Sequence, residues 1–442
     1  MKMSNRKSIR PYHHPAGGWG ALKALSEHLL EQRVPVKGAN TLRCMNQPEG
    51  CPGCAWPDPK HTSSFEFCEN GAKAVAWEAT AKRCTPAFLA QHSVAELSGW
   101  SDYELEMVGR LTYPMAYDAS SDHYVSVSWE HAIIGRHLRA LPDPNMAEFY
   151  TSGRTSNEAA FLYQLFVREY GTNNFPDCSN MCHEATSVGL PQPIGVGKGT
   201  VLLEDLFGQN PGTNGPRMMT KLRDASRRGA PIISFNPFRE RALERFQAPQ
   251  SPIEMATLTS TPISSRLYQV RVGVDVAAVK GIMKALVEAD EMARANGEPE
   301  ILDWDFIRGH THGIEALVND LKATGWSDIE RCSGLARTDI EYAAQVYMKA
   351  ERAIIVYGMG ITQHRRGAQN VQQLANLALL RGHIGREGAG ICPVRGHSNV
   401  QGDRTVGITE VPSQEFLDRL ALRFGFAPRA NMAITSSQPS KQ

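Results

Sequence analysis

The sequence predicts an α/β protein in which parallel-sheet, Rossmann-like domains follow a small irregular N-terminal domain. Three observations carry this prediction. Two apolar runs of strand type, Ala230-Pro231-Ile232-Ile233-Ser234-Phe235 and Ala353-Ile354-Ile355-Val356-Tyr357, alternate with segments of helical period. Turn-forming residues lie where such strands would end: Gly208-Gln209-Asn210-Pro211, Asn236-Pro237 and Gly358-Met359-Gly360. In open parallel sheets with right-handed crossovers, ligands bind at those carboxyl ends. Residues 1 to about 100 differ, because Asn46 to Pro59 is too dense in Pro and Gly to form a long helix. Such a segment owes its order to something other than an apolar core, and a bound metal is the obvious candidate.

Each later element has its own signal. Ser128 caps a predicted helix running through Trp129, Ala132, Ile133 and Leu138, with Glu130 adding charge to its first turn. Thr155 or Ser156 caps the next, with Phe161, Leu162, Leu165 and Phe166 on one face and Gly171 at its end. A basic amphipathic stretch from Arg217 to Arg228 leads through Gly229 into the first strand. Val274 to Val287 and Ile340 to Lys349 are helical by period, the latter with Thr338 and Glu341 at capping-box spacing. Val371 to Leu380 is helical again, and the polar tail from Arg429 to Gln442 is expected to fray.

Composition excludes several classes. The chain of 442 residues suggests about three domains at ~150 residues each. With 42% hydrophobic and 21% charged residues it is an ordinary globular sequence, not a disordered one. A net charge of +1 lacks the basic excess of a nucleic-acid binder. No window approaches the ~20 apolar residues of a spanning helix, and Met1 to Arg6 leads into no apolar leader segment. A soluble cytoplasmic protein is expected. Nine cysteines are too few and too clustered for a disulfide scaffold, so they read as metal ligands or reactive thiols.

Three runs carry candidate chemistry. Cys51-x2-Cys54 with Cys68, flanked by Cys44 and Cys84, presents thiolates suited to zinc or to an iron–sulfur cluster, and the spacing does not choose between them. Unrelated buried thiols are the plainer alternative. In Asp177-Cys178-Ser179-Asn180-Met181-Cys182-His183-Glu184, a Cys beside a His suits a nucleophile or a metal ligand, against a buried Cys that merely adjoins a surface His. Gly385 to Gly402 is too rich in Gly for a helix. Such a loop can wrap an anionic ligand with backbone N–H groups while Arg395 clamps a carboxylate or phosphate, or it is simply a solvated loop. Gly195 to Thr200 lacks the spacing of a phosphate loop around Lys198.

Together these runs resemble the molybdopterin oxidoreductases related to formate dehydrogenase, within the dimethyl sulfoxide reductase superfamily. The closest branch is the formate-dehydrogenase-like proteins associated with acid resistance. The resemblance extends from Cys44 to about Gly407. It rests on residues 51–59, 67–73, Met181-Cys182-His183, 208–211 and Pro393 to Gly402. It implies a bis(molybdopterin guanine dinucleotide) molybdenum site beside a [4Fe–4S] cluster. Cys182 then falls where the metal-ligating Cys or selenocysteine stands, His183 on the active-site His, and Arg395 on the Arg that orients formate. Lys73 lies near the Lys between cluster and pterin, although it follows Cys68 by five residues rather than two. Gly208, Asn210, Asn236, Asp275, Gly360, Asn399 and Gln401 fall in segments implied to bind the cofactor. Cys51, Cys54 and Cys68 ligate the implied cluster, with Asp58 at its third motif position and Cys44 or Cys84 as alternatives.

The implied activity is two-electron oxidation of formate or a similar small molecule. His183 assists the proton, and electrons leave through pterin and cluster toward an electron-transfer partner subunit. No nucleic acid or membrane is expected as a partner. The resemblance also implies a division into an iron–sulfur domain at 1–103, a first pterin-binding domain at 104–177 and 398–442, and a second at 178–397. It implies a strand shortened at Val201 to Phe207. Family members run longer, so the expectation is a C-terminally truncated chain lacking a final domain. The alternative is a non-catalytic remnant, or a module binding zinc or iron–sulfur at the N-terminal cysteines.

Overall fold

The computed structural model describes residues 12–31, 40, 43, 51, 53–55, 67–132, 135–176, 178–201 and 211–429. The N-terminal part is less irregular than its composition suggests. Strand β1 (Ala16–Gly17) leads into helix α1 (Gly18–Glu31), which packs on α2 (Glu69–Glu78) through Leu25, Phe67, Ala72 and Val75. Strand β2 (Arg83–Cys84) pairs parallel with β3 (Arg110–Leu111), and β4 (Met115–Asp118) forms an antiparallel hairpin with β5 (His123–Ser126).

The helix expected after Ser128 is present at Trp129–Ala132 and at Gly135–Ala140, with residues 133 and 134 outside the described residues. Helix α3 (Asn157–Tyr170) begins at Ser156, whose Oγ accepts from Ala159 N at 3.4 Å, and ends at Gly171 with φ of 106°. Both caps are as expected; the buried face is not. Leu162 is 64% and Phe166 48% exposed, whereas Gln164 and Arg168 are buried. The cause is a long-range bond: Arg168 Nη2 donates to Gly407 O at 2.7 Å while its Nε donates to Gln164 at 2.9 Å. That pair rotates the polar ridge inward.

Two short helices follow, α4 (Cys178–Cys182) and α5 (Glu184–Gly189). Next come α6 (Met218–Arg227) and strand β6 (Ile233–Phe235). The strand starts later than expected because Pro231 has no N–H to give a ladder and Ile232 N bonds Ser265 Oγ instead. Strands β7 (Arg245–Gln247), β8 (Thr261–Pro262) and β9 (Arg266–Tyr268) precede α7 (Asp275–Ala295). Helix α8 (Arg337–Lys349) begins a residue before Thr338, so the expected capping box does not form; Arg337 instead pairs with Glu341 at 2.6 Å. Then come β10 (Ile354–Tyr357), α9 (Met359–Thr362), α10 (Gly367–Leu379) and β11 (Gly390–Pro393). Helix α11 (Val400–Thr405) takes in the last residues of the glycine-rich run, which was expected to be loop throughout.

The sheets are small. Strands order β1-β7-β8 in one, and the remaining strands pair in twos: β2 with β3, β4 with β5, β6 with β9, β10 with β11. The β6–β9 and β10–β11 pairs are parallel, with Tyr357 opposite Pro393. The chain is therefore mixed α/β with short, mostly parallel ladders, rather than one broad Rossmann-like sheet among the described residues. Helices supply most of the packing. Met283 and Leu286 of α7 are buried against Leu321, Ile329, Ile340 and Ala344. A second core of Leu190, Tyr357, Val371, Leu374, Ala378 and Ile391 underlies α5 and β10. Burying a side chain of this size contributes ~1.5–3 kcal/mol. Gly189 makes the second core possible: a Cβ there would lie 2.7 Å from Ala368 O and 3.1 Å from Val371 Cβ.

Candidate functional site

The predicted residues fall into three groups, two of them beyond the carboxyl ends of β6, β10 and β11 and the third, the thiols, at the start of α2. The first centres on Cys182, buried at the end of α4. Its backbone is held from α9: Thr362 Oγ1 donates to Cys182 O at 2.7 Å, and Gln363 Nε2 donates to Met181 O at 3.0 Å. One turn earlier, Cys178 Sγ accepts from Gly153 N at 3.0 Å and lies 3.4 Å from His397 Nδ1. Asn399 closes the same corner, its N donating to Gly153 O at 2.6 Å and its side chain to Thr155 O at 2.7 Å. The glycine-rich loop thus meets the start of α3 and the Cys182 helix at one place.

His183 follows as the first residue beyond α4 and is wholly buried. Its Nε2 is 2.7 Å from Val394 O and its Nδ1 is 3.1 Å from Thr186 Oγ1, which is 3.0 Å from Tyr357 Oη. Burial, reinforced by the Arg395 charge and opposed by the Val394 bond, holds the imidazole down at about 4. The ring is therefore neutral near pH 7. Burial pushes the Tyr357 hydroxyl up to about 12 against the pull of Thr186 and Arg395. Arg395 thus stands beside both rings.

A buried polar network fixes α4 from the far side. Arg404 donates through Nε and Nη2 to Ser179 Oγ at 2.9 and 2.8 Å, and through Nη2 to Glu410 at 2.9 Å. Asn180 donates to Glu184 at 2.7 Å and also to Glu410. Burial alone would raise the Glu410 carboxyl; the bonds from Arg404 and Asn180 outweigh it and hold it at about 2.

The second group lies along the same strand ends. Asn236 follows β6, and its side chain donates to Phe238 O at 2.7 Å. Asp275 opens α7, its carboxyl raised by burial and drawn back by its own backbone bond and His364. His364 Nε2 in turn is 2.7 Å from Gly360 O, which joins Asp275 to Gly360. A Cβ built on Gly360 would meet nothing within 4 Å, so this end of β10 is open. Gln401 is exposed on α11, and Gly208 and Asn210 fall outside the described residues.

The third group is the thiol cluster. Cys68 caps α2, its Sγ accepting from Gly71 N at 3.1 Å. Burial pushes its thiol up to about 12 against that bond, and Cys51 and Cys54 raise it further. Gly53 between them lies over Gly71, where a Cβ would be 3.5 Å from the Gly71 Cα. Among the described residues no three His, Cys, Asp or Glu side chains stand close enough to hold one metal ion. Asp58 and Cys44 lie outside the described residues, and Cys84 is buried in β2 against Leu89 and Leu97. Lys73 is half-buried on α2. Two long-range bonds bring this group to the others. Arg154 Nη2 donates to Gly53 O at 3.1 Å while its charge, with burial, lowers the His397 imidazole. Asn70 Nδ2 donates to Thr213 O at 2.6 Å, just beyond the predicted turn at 208–211.

Sequence reasoning missed Arg154, Thr186, Tyr357, His364, Arg404 and Glu410. Only Arg154 had a local signal, a charge directly before a helix cap. Tyr357 meets Thr186 and Arg404 meets Ser179 across long sequence separations, which periodicity cannot reveal.

The molybdopterin oxidoreductase family matches residues 110–438. The chain is 58% identical to Protein YdeP of Escherichia coli (strain K12), over 98% of this chain and 59% of that protein. It is 43% identical to the uncharacterized oxidoreductase Rv2900c of Mycobacterium tuberculosis, over 96% of this chain and 56% of that one. It is 30% identical to the F420-dependent formate dehydrogenase subunit alpha of Methanocaldococcus jannaschii, over 67% of this chain and 41% of that subunit. The chain thus spans less than three fifths of the length of these relatives. Among the described residues no helix is long and apolar enough to cross a membrane. On the extent of these matches, the chain belongs to the molybdopterin oxidoreductase family, whose membership implies a molybdenum–pterin cofactor.

Proposed function

We propose that this chain carries the metal-binding and substrate-orienting part of a formate-dehydrogenase-like molybdenum oxidoreductase. Its substrate is formate or a similarly small carboxylate, oxidised by two electrons. The observation that carries this reading is Arg395 standing beside the neutral, buried His183 next to the Cys182 thiol. A fixed guanidinium fork suits a carboxylate, and a single buried thiolate suits a high-valent metal.

The residues fit the implied group. Cys182 supplies the sulfur donor, and a Cβ at Gly360, just after β10, would meet open space. Asn236, Asp275, Gly360, Asn399 and Gln401, with Gly208 and Asn210, are the residues that would hold a bis(molybdopterin guanine dinucleotide) group. When bound, that group accepts the electron pair, and the protein orients and tunes it. Arg395 holds the carboxylate. The buried polar walls around His183 exclude water, and the Glu410–Arg404–Asn180 network keeps the Cys182 helix in place. Formate oxidation releases carbon dioxide, one proton and two electrons.

The thiol cluster supports a [4Fe–4S] group at Cys51, Cys54 and Cys68, with Asp58, Cys44 or Cys84 completing it. What supports this reading is that Cys51 and Cys54 lie near enough to the buried Cys68 to disfavour its ionisation, and thiolates suit a thiophilic metal group that displaces their protons. Lys73 and Arg154 lie between this cluster and the Cys182 centre in this reading, and a partner subunit receives the electrons. The domain division at residues 103/104, 177/178 and 397/398 belongs to the same reading.

The test is metal analysis and formate-dependent reduction of an artificial viologen acceptor by the purified chain. Molybdenum, iron and turnover support the proposal. Metal content and turnover unchanged by Cys182→Ser would remove the ligand assignment.

A further inference from the structure

We propose that His183 is a strut that orients Arg395, and that Thr186 and Tyr357 are positioning residues that fix its tautomer. The proposal deepens the formate-dehydrogenase-like reading and rests on it only for the identity of the anion.

The hydrogen bonds close into a ring, and its direction follows once His183 carries a single ring hydrogen. A carbonyl oxygen only accepts, so the nitrogen 2.7 Å from Val394 O carries the hydrogen, and His183 is the Nε2–H tautomer. In the neutral ring Nδ1 is then bare and accepts from Thr186 Oγ1 at 3.1 Å. The single hydroxyl hydrogen of Thr186 is used there, so Thr186 accepts from Tyr357 Oη at 3.0 Å. Tyr357 also closes the ring through its backbone, its O accepting from Val394 N at 2.9 Å. Residues from β10, α5 and the loop after β11 therefore share one cycle.

Val394 directly precedes Arg395, so both polar groups of the Val394 backbone are clamped where the chain enters that residue. Both ring nitrogens of His183 are already used within the protein, which leaves neither aimed at a substrate. His183 therefore acts through Arg395. A relay role predicts a different pattern, because a proton carrier needs a nitrogen that reaches the reacting atoms.

Three measurements on the 442-residue chain decide this. First, His183→Leu speeds hydrogen exchange of the Val394 and Arg395 amides about tenfold, while His183→Gln, which keeps an N–H donor, stays within about threefold of the parent. Equal exchange in all three proteins overturns the strut. Second, nitrogen NMR of histidine-labelled protein shows His183 as the Nε2–H tautomer, and Thr186→Val and Tyr357→Phe each shift its Nδ1 signal toward the unbonded position. An Nδ1–H tautomer in the parent, or no shift in either variant, overturns the assignment even where His183→Leu fails to fold. Third, Tyr357→Phe raises the formate KM about tenfold with kcat within about threefold. A fall confined to kcat in Tyr357→Phe, with His183→Gln losing as much kcat as His183→Leu, supports the relay instead and overturns the strut. Absence of any formate-dependent turnover refutes the proposed substrate, while exchange and tautomer still decide the strut.

Discussion

The two sulfur-bearing regions are built in opposite ways. Around Cys182 the protein holds everything itself: Thr362 and Gln363 grip the backbone, Arg404 and Glu410 brace the helix, and a closed ring fixes His183. Around Cys68 the described residues supply a helix cap, a bond from Arg154 to the Cys51–Cys54 turn, and two further thiols that disfavour ionisation of Cys68. The first centre is ordered by protein contacts before any cofactor arrives. The second, in the reading proposed above, takes its order from the metal group it binds. Stability and metal content should therefore separate cleanly between them.

The largest expected effects are losses of metal. Cys182→Ser should abolish turnover and molybdenum binding while leaving iron in place, which elemental analysis reads directly. Cys68→Ser should do the reverse and lose iron. Serine is itself a strong N-cap, so α2 should persist by circular dichroism. If iron survives Cys68→Ser, the contrast between the regions collapses. Next, Glu410→Ala strips Arg404 and Asn180 of their shared acceptor and should cost about 3 kcal/mol in denaturant titration. Gly189→Ala should cost ~1–3 kcal/mol, because the new Cβ meets a backbone carbonyl that cannot step aside.

The smallest expected effect is a pH slope far from both centres. His383 is fully buried near Tyr347, and among the described residues neither ring nitrogen has a hydrogen-bond partner. Burial, with Arg381 and Arg386, lowers its imidazole from 6.5 to about 4. Between those values the unfolded chain binds the extra proton, so stability is full above 6.5, falls as pH drops toward 4, and levels below it. His183 contributes in the same window. His383→Leu should flatten part of that slope in thermal melts between pH 7 and 4, and an unchanged slope would assign the whole of it elsewhere.

Local signals were legible wherever neighbours in sequence decide the outcome. Ser156 and Gly171 bound α3 as read, and Cys182 and His183 adjoin in sequence at the end of α4. Signals failed where distant residues decide. The exposed Leu162–Phe166 face reflects the bond from Arg168 to Gly407, whereas the capping box at Thr338 fails locally, because the helix starts earlier and pairs Arg337 with Glu341. Tyr357 reads in sequence only as the end of an apolar strand, because its partners Thr186 and His183 lie far away along the chain. Broad parallel sheets were expected from strand runs that fold as ladders of two to four residues, cut short by Pro231 and Gly358.

The most direct test is molybdenum-edge X-ray absorption of the purified chain beside its Cys182→Ser variant. The account predicts a molybdenum–sulfur shell in the parent that loses a sulfur scatterer, or loses the metal, in the variant. Identical spectra from the two proteins, or zinc in place of molybdenum, would contradict it.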